Sequence, residues 1–542
     1  MVVNAKDMLE ELLTNIQTGD FMKAQLVISH LNEVDEKSRR KILYALSRAD
    51  ILFKVPLLIH LLNIEVDENE KVFLQDMIFA SVKAYPESLA PLIISERVGD
   101  VRVLLDVANK LGRKNIVEPL LQRLAESTVR SEMVALLDCL GELGNEESIP
   151  VIKEFLYSGN RELVIAAIRG LGKTKSPLAV ATLIERMHTD NELDIEILQQ
   201  FAHIQDHASI EQLCNTVSSK DAFLRTYAKK ELTAIGTIAV PQIIECLNSK
   251  NADLVIHSLN VLGDIGDRRS IDPIRHLLDT LPNDANIRFA AYEAFSFLPV
   301  SQGKGAYTLT AGLSDRDEQV CHAAARAVEQ NYSKVLVDGL KNLLKGRKED
   351  VIKIVRSILD TEADRLVSAL ISEEIFVEHA ATYLRTAHPD IRKRYYEIFM
   401  KFGNVDLAQG VIGEEKIPER AKVVAVDDSR MILSIYKSSL YELGYEPVLF
   451  EFPESALKWL EKEKPLAVLT DLNMPEITGI ELASKIREIY PQSTLPIMMV
   501  TTQNEQKDNQ NAEKVGIDRI LYKPFTSQSL GVAMSKLLGV SA

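Results

Sequence analysis

A phrase recurring along the first three-quarters of the chain constrains its fold more than any other feature. Apolar residues at helical spacing lead to a glycine, a polar turn, and a proline that opens another apolar run. The phrase runs from Gly112 to Pro119, Gly144 to Pro150, Gly172 to Pro177, Gly236 to Pro241 and Gly266 to Pro273, with a weaker copy near Ile204 to Ile210. The period is about thirty residues, within the range of two-helix repeat units. Glycine after a helix takes the left-handed conformation that closes the last turn. Proline suits the first turn of the next helix, where its missing N–H is no loss. Between these marks Val164, Ala167, Ile168 and Leu171 share one helical stripe, as do Leu136, Cys139, Leu140 and Leu143. One such hairpin cannot bury its apolar face alone, so neighbouring units must stack.

The wording of Leu140-Gly-Glu-Leu-Gly-Asn-Glu-Glu-Ser-Ile-Pro150 and Leu262-Gly-Asp-Ile-Gly-Asp-Arg-Arg-Ser-Ile-Asp-Pro273 resembles HEAT repeats, especially the short bacterial type. Asp315-Arg-Asp-Glu-Gln-Val-Cys-His-Ala-Ala-Ala-Arg-Ala-Val328 resembles that family's second phrase. The resemblance spans residues 100 to 330. Helical periodicity extends the reading to 1–402, with Asp50 to Leu62 and Asp364 to Leu384 as atypical capping units. HEAT arrays serve as curved protein-binding surfaces, so the resemblance implies an all-α HEAT-like solenoid that engages an unknown protein partner.

Periodicity weakens after Phe402, and residues 403–420 mix glycine, proline and charge as a linker does. From 421 to 542 the pattern is α/β. Short β-branched runs at Lys422–Val426, Glu446–Phe450, Leu466–Thr470, Pro496–Thr501 and Arg519–Tyr522 alternate with helices beginning near Ser429, Pro453, Thr478, Gln503 and Thr526. Such alternation predicts a doubly wound, flavodoxin-like domain with a five-stranded parallel sheet. Its ligand crevice lies at the carboxyl ends of the strands.

The polar residues at those ends form a coherent set. Asp427 and Asp428 follow the first strand, Asp471 the third, Thr501 closes the fourth and Lys523 the fifth. Three carboxylates brought together repel one another unless a cation joins them, and hard oxygen ligands favour Mg²⁺. A hydroxyl and an ammonium nearby suit the spreading charge of a transferring phosphoryl group. Val426-Asp-Asp428, Leu469-Thr-Asp-Leu-Asn-Met-Pro475, Met499-Val-Thr501 and Tyr522-Lys-Pro-Phe525 resemble the receiver domains of response regulators. The resemblance implies a two-component response regulator in which Asp471 accepts a phosphoryl group from a sensor histidine kinase or phosphotransfer protein. It further implies that Asp428, Asp471 and the backbone carbonyl of Asn473 hold Mg²⁺, and that Asp427 assists, commonly through water. Lys523 would pair with the acceptor and then with the phosphoryl group, and Thr501 would hydrogen-bond a phosphoryl oxygen. A domain of this type is no enzyme in the ordinary sense, since it catalyses only its own phosphorylation and dephosphorylation.

There are departures from the family pattern. Ile520 stands where receivers often carry Tyr or Phe, so the usual threonine–aromatic coupling is lost. Thr502 is bulkier than the usual alanine or glycine and narrows access to the pocket. The stretch from Thr502 to Asn511 is almost wholly polar, which predicts a loosely packed fourth helix.

The net charge of -15 lies almost entirely before Arg420 and disfavours nucleic acid or an anionic membrane as partner. No signal peptide, spanning segment or CxxC pair is present, which reads as a reduced, cytoplasmic protein. Without a DNA-binding module, the output assigned to the receiver is control of the arm's protein–protein interactions. Two alternatives are a constitutive scaffold whose receiver is a phosphate sink or docking module, and an enzyme akin to the bilin lyases that use short HEAT repeats.

Overall fold

The structure, a computed structural model, describes residues 5–64, 68–112, 114–219, 221–300, 304–411, 420–474, 477–501 and 512–539. The chain gathers into two compact units, residues 1–209 and 210–542.

The described residues of the first unit are helices and turns. The stripes named above pack as expected: Leu136, Cys139, Leu140 and Leu143 of the Arg130–Leu143 helix are buried, as are Val164, Ala167, Ile168 and Leu171 of Arg161–Thr174. Burial also pushes the Cys139 thiol up to about 12. The two helices approach so closely that a Cβ on Gly141 would meet the Gly170 carbonyl oxygen at 2.5 Å. Gly112 and Gly144 close their helices in the left-handed conformation. Gly172 does not, because its helix runs on to Thr174 and Lys175 makes the left-handed turn. Gly172 is needed instead for space, since a Cβ there would strike the Gln200 side chain. The weaker copy of the phrase closes on left-handed Gln205.

The second unit begins with helices of the same kind and ends in the sheet. Ala222–Ile235, Ala252–Ile265, Ala285–Phe297, Glu318–Gln330 and Lys348–Asp360 form a row in which each packs on the next. Asp221, Asn251, Asp284 and Asp317 cap the first four by accepting backbone N–H bonds. The expected linker 403–420 is partly helix: Val405–Val411 packs on Pro389–Lys401 and buries Leu407, Ala408 and Val411. Those apolar residues sit among glycines and charges, which masked a short but buried turn. Residues 412–419, Pro475 and the polar stretch 502–511 with Thr502 lie outside the described residues.

The strands are β1 Lys422–Val426, β2 Glu446–Phe450, β3 Ala467–Asp471, β4 Ile497–Thr501 and β5 Arg519–Tyr522. All pair in parallel, in the order β2-β1-β3-β4-β5. β3 and β4 are buried along their whole length, as central strands covered on both faces must be. Helices Arg430–Glu442, Pro453–Leu460, Gly479–Ile489 and Ser527–Leu538 are described around them. Ile520 packs against the core beside β4, in keeping with an aliphatic rather than a mobile aromatic residue there. No helix among the described residues is long and apolar enough to cross a membrane.

Candidate functional site

Parallel pairing brings the carboxyl ends of the strands to one edge. The register Val426↔Thr470 sets Asp427, just past β1, beside Asp471, the last residue of β3. Their relative exposures are only 1% and 7%. Lys523, which follows β5, joins them: its Nζ donates to Asp427 Oδ2 at 2.7 Å and to Asp471 Oδ1 at 2.8 Å. The second oxygen of each carboxylate accepts a backbone N–H, from Ser429 at 3.0 Å and Asn473 at 2.9 Å respectively. Thr501 is buried at the end of β4, and its carbonyl accepts the Lys523 N–H at 2.8 Å. Gly479 starts the next helix directly against β3, where any Cβ would collide with the Asp471 carbonyl oxygen.

Burial raises the Asp427 carboxyl above the ordinary carboxylate range, and the Asp471 and Asp428 charges add to it against the pull of Lys523. Asp428 is open to the cavity but closely surrounded by protein. That burial, followed by the Asp471 charge, pushes its carboxyl up to about 6. Burial alone would lower the Lys523 ammonium, but Asp427 and Asp471 outweigh it and hold it well above its ordinary value. Carboxylates thus crowd around a single ammonium at the strand ends.

Asp427, Asp428, Asp471, Asn473 and Lys523 line one cavity of about 430 Å³. Its opposite wall comes from the helical row and includes Lys229, His257, Asn260, Asn286, Glu293 and Arg326. Hydrogen bonds tie the two walls together. Arg225 donates from Nε and Nη2 to Asn473 Oδ1 at 3.3 and 3.1 Å. Asn286 Nδ2 donates to the Lys523 carbonyl at 2.7 Å, and Gln319 Nε2 to the Phe525 carbonyl at 2.5 Å. Ser429 Oγ donates to Glu293 Oε1 at 2.7 Å, although burial keeps the Glu293 carboxyl raised. None of these helical residues stands out in the sequence. The one faint signal is Glu293, a charge set between the buried Tyr292 and Ala294.

The donor set fits Mg²⁺. Among the described residues no three carboxyl, imidazole or thiol groups are gathered as a cation site by themselves. Mg²⁺, however, takes one or two carboxylates and completes its shell with carbonyl and water oxygens. Asp428 and Asp471 supply hard oxygens beside a cavity with room for water. No cysteine among the described residues lines this cavity.

Comparison with known proteins places both parts. Residues 423–535 match the response regulator receiver domain, and residues 117–199 match HEAT repeats. A chemotaxis protein CheY homolog of Campylobacter jejuni is 37% identical over 123 residues, which are 22% of this chain and 95% of that protein. The alkaline phosphatase synthesis transcriptional regulatory protein PhoP of Bacillus subtilis is 29% identical over 117 residues, which are 22% of this chain and 48% of that protein. Among solved structures, the chemotaxis protein CheY4 of Vibrio cholerae is 32% identical, with a TM-score of 0.22 over 22% of this chain and 100% of that one. With residues 423–535 matching the receiver domain and a 37% identical relative matched over 95% of its length, the chain belongs to the response regulator receiver family, and it carries that domain behind HEAT repeats.

Proposed function

We propose that this two-component regulator is phosphorylated on Asp471 and that the modification controls what its helical arm binds. The observation that carries the reading is the Lys523 ammonium shared between Asp427 and Asp471 at the floor of a cavity. In the transfer, an Asp471 carboxylate oxygen attacks phosphorus in line. A P–O bond forms, the P–N bond of a phosphohistidine breaks, and its electron pair returns to the imidazole nitrogen. Lys523 and the Asn473 N–H orient the attacking carboxylate, and Lys523 then follows the charge onto the phosphoryl oxygens. Thr501 donates to one of those oxygens. Asp428, Asp471 and the Asn473 carbonyl would hold Mg²⁺, with Asp427 assisting through water, and the ion supplies charge compensation when bound.

The donor is a sensor histidine kinase or a phosphotransfer protein of the cytoplasm. In this reading residues 1–402 are the responding arm, 403–420 the connection and 421–542 the receiver. The receiver turns over no substrate other than its own phosphoryl group. The test is affinity capture under phosphorylating conditions with wild type and Asp471→Asn as baits. A partner held by only one of them is the expected result. Identical capture by both would leave the arm as a constitutive scaffold.

A further inference from the structure

We propose that the arm reads the phosphoryl group on Asp471 within the same chain, with Arg225 and Lys229 as the cationic pair that grips it. This rests on Asp471 being the acceptor. It adds where the signal is received first and in which direction it acts.

The two cations lie one turn apart on the Ala222–Ile235 helix, so they share a face. Arg225 is 1% exposed and reaches across to Asn473, two residues beyond the acceptor. Lys229 lines the cavity on whose floor Asp471 lies. The receiver itself brings one ammonium to the acceptor, and Lys523 already serves two carboxylates. Phosphorylation replaces a single negative charge by a group of roughly two, with three strong acceptor oxygens. The guanidinium fork matches such a group better than it matches an amide oxygen. In a partly sheltered cavity the attraction is weakened less by water than on an open surface.

Asp264 and Glu293 line the same wall and oppose an incoming anion, and Arg326 lies with them. Arg225 and Lys229 therefore decide the sign. With them the phosphorylated receiver is drawn onto the arm, and phosphorylation closes this interface rather than releasing it. A signal formed at Asp471 then enters the row of helices through the Ala222–Ile235 helix.

The experiment uses the full chain with Mg²⁺ and beryllium fluoride, which mimics a phosphoryl group on a carboxylate, and reads hydrogen exchange by mass spectrometry. Bound fluoride is measured separately by ¹⁹F NMR. The expected result is exchange slowed about tenfold across 222–235 and 285–297 in wild type, since one charge-assisted hydrogen bond is worth about that factor. In Lys229→Gln, a change at a half-buried position, and in Arg225→Lys, most of that slowing is lost. Faster exchange in wild type would overturn the proposal by showing release. Equal slowing in wild type and Lys229→Gln would overturn it by removing the reader. Bound fluoride with unchanged exchange would sink this inference alone. No bound fluoride would instead sink the assignment of Asp471 as acceptor, and this inference with it.

Discussion

Replacing Asp360 by alanine lowers stability by about 3–5 kcal/mol and loosens the receiver from the arm, because it strips the partner from a buried charge cluster. Asp360 ends the Lys348–Asp360 helix at 1% exposure. Its carboxylate accepts from His322 Nε2 at 3.3 Å, Arg356 Nε at 3.4 Å, Ser438 Oγ at 2.8 Å and the Tyr383 hydroxyl. Its carbonyl accepts from Ser434. Both serines lie on the Arg430–Glu442 helix of the receiver, and Arg356 Nη2 reaches Glu442 of that same helix at 2.9 Å. One carboxylate therefore joins arm and receiver, and its loss takes from the buried His322 imidazole and from Arg356 the carboxylate they share.

The cluster also sets a pH dependence. Burial opposes ionisation of Asp360, but its bond and charge pairing with His322 outweigh it and hold the carboxyl below its ordinary 3.8. Burial likewise opposes His322 protonation, but Asp360 holds the imidazole above its ordinary 6.5. The Asp360 contribution is present above 3.8 and lost as pH falls through its lowered folded value. The His322 contribution is full below 6.5 and lost as pH rises through its raised folded value. Denaturant unfolding of wild type and Asp360→Ala across this range should show the difference between them largest from 3.8 to 6.5 and shrinking on the alkaline side. A difference that does not shrink on the alkaline side would mean that His322 is neutral in the fold.

Lys523→Ala is the second large effect. It removes the ammonium held at 2.7 and 2.8 Å between two nearly buried carboxylates. Loss of a preorganised donor of this kind slows a charge-developing transfer by about 10²–10³-fold. Asp427 and Asp471 are then left to repel each other. The rate of phosphoryl uptake from acetyl phosphate, followed by intact mass, measures the effect. A rate within a few-fold of wild type would remove Lys523 from the transfer. Its neighbour Asn286, whose Nδ2 donates to the Lys523 carbonyl, offers a contrast within the same contact.

The receiver was legible in the sequence because its signals are local. Strands β1, β2 and β5 begin and end where the β-branched runs do, and the charged residues that matter follow those runs directly. The strand read as Leu466–Thr470 is shifted by one, so that Asp471 belongs to β3, because main-chain pairing with Val500 carries the ladder onto that residue. The repeats were legible for the same reason, with one instructive error. Gly172 reads as a helix stop, yet it is a spacer for Gln200, and the left-handed turn falls to Lys175. Glycine answers two different demands, positive φ and absent Cβ, and spacing alone does not separate them.

Apart from Glu293, the cover over Asp471 was not legible. Arg225, Asn286, Gln319 and Asp360 sit near helix ends, where polar residues are ordinary, and their partners lie hundreds or scores of residues away in the chain. Only the fold assigns them. The helix Val405–Val411 was hidden in a similar way, since three buried side chains in seven residues give too little periodicity to read.

Incubating the full chain with Mg²⁺ and acetyl phosphate, and weighing it intact beside Asp471→Asn, tests the central claim most directly. The account predicts one phosphoryl-sized gain in wild type and none in the variant. An equal gain in both would move the acceptor elsewhere. No gain in wild type, either here or with a phosphohistidine protein as donor, would contradict a working acceptor site at Asp471.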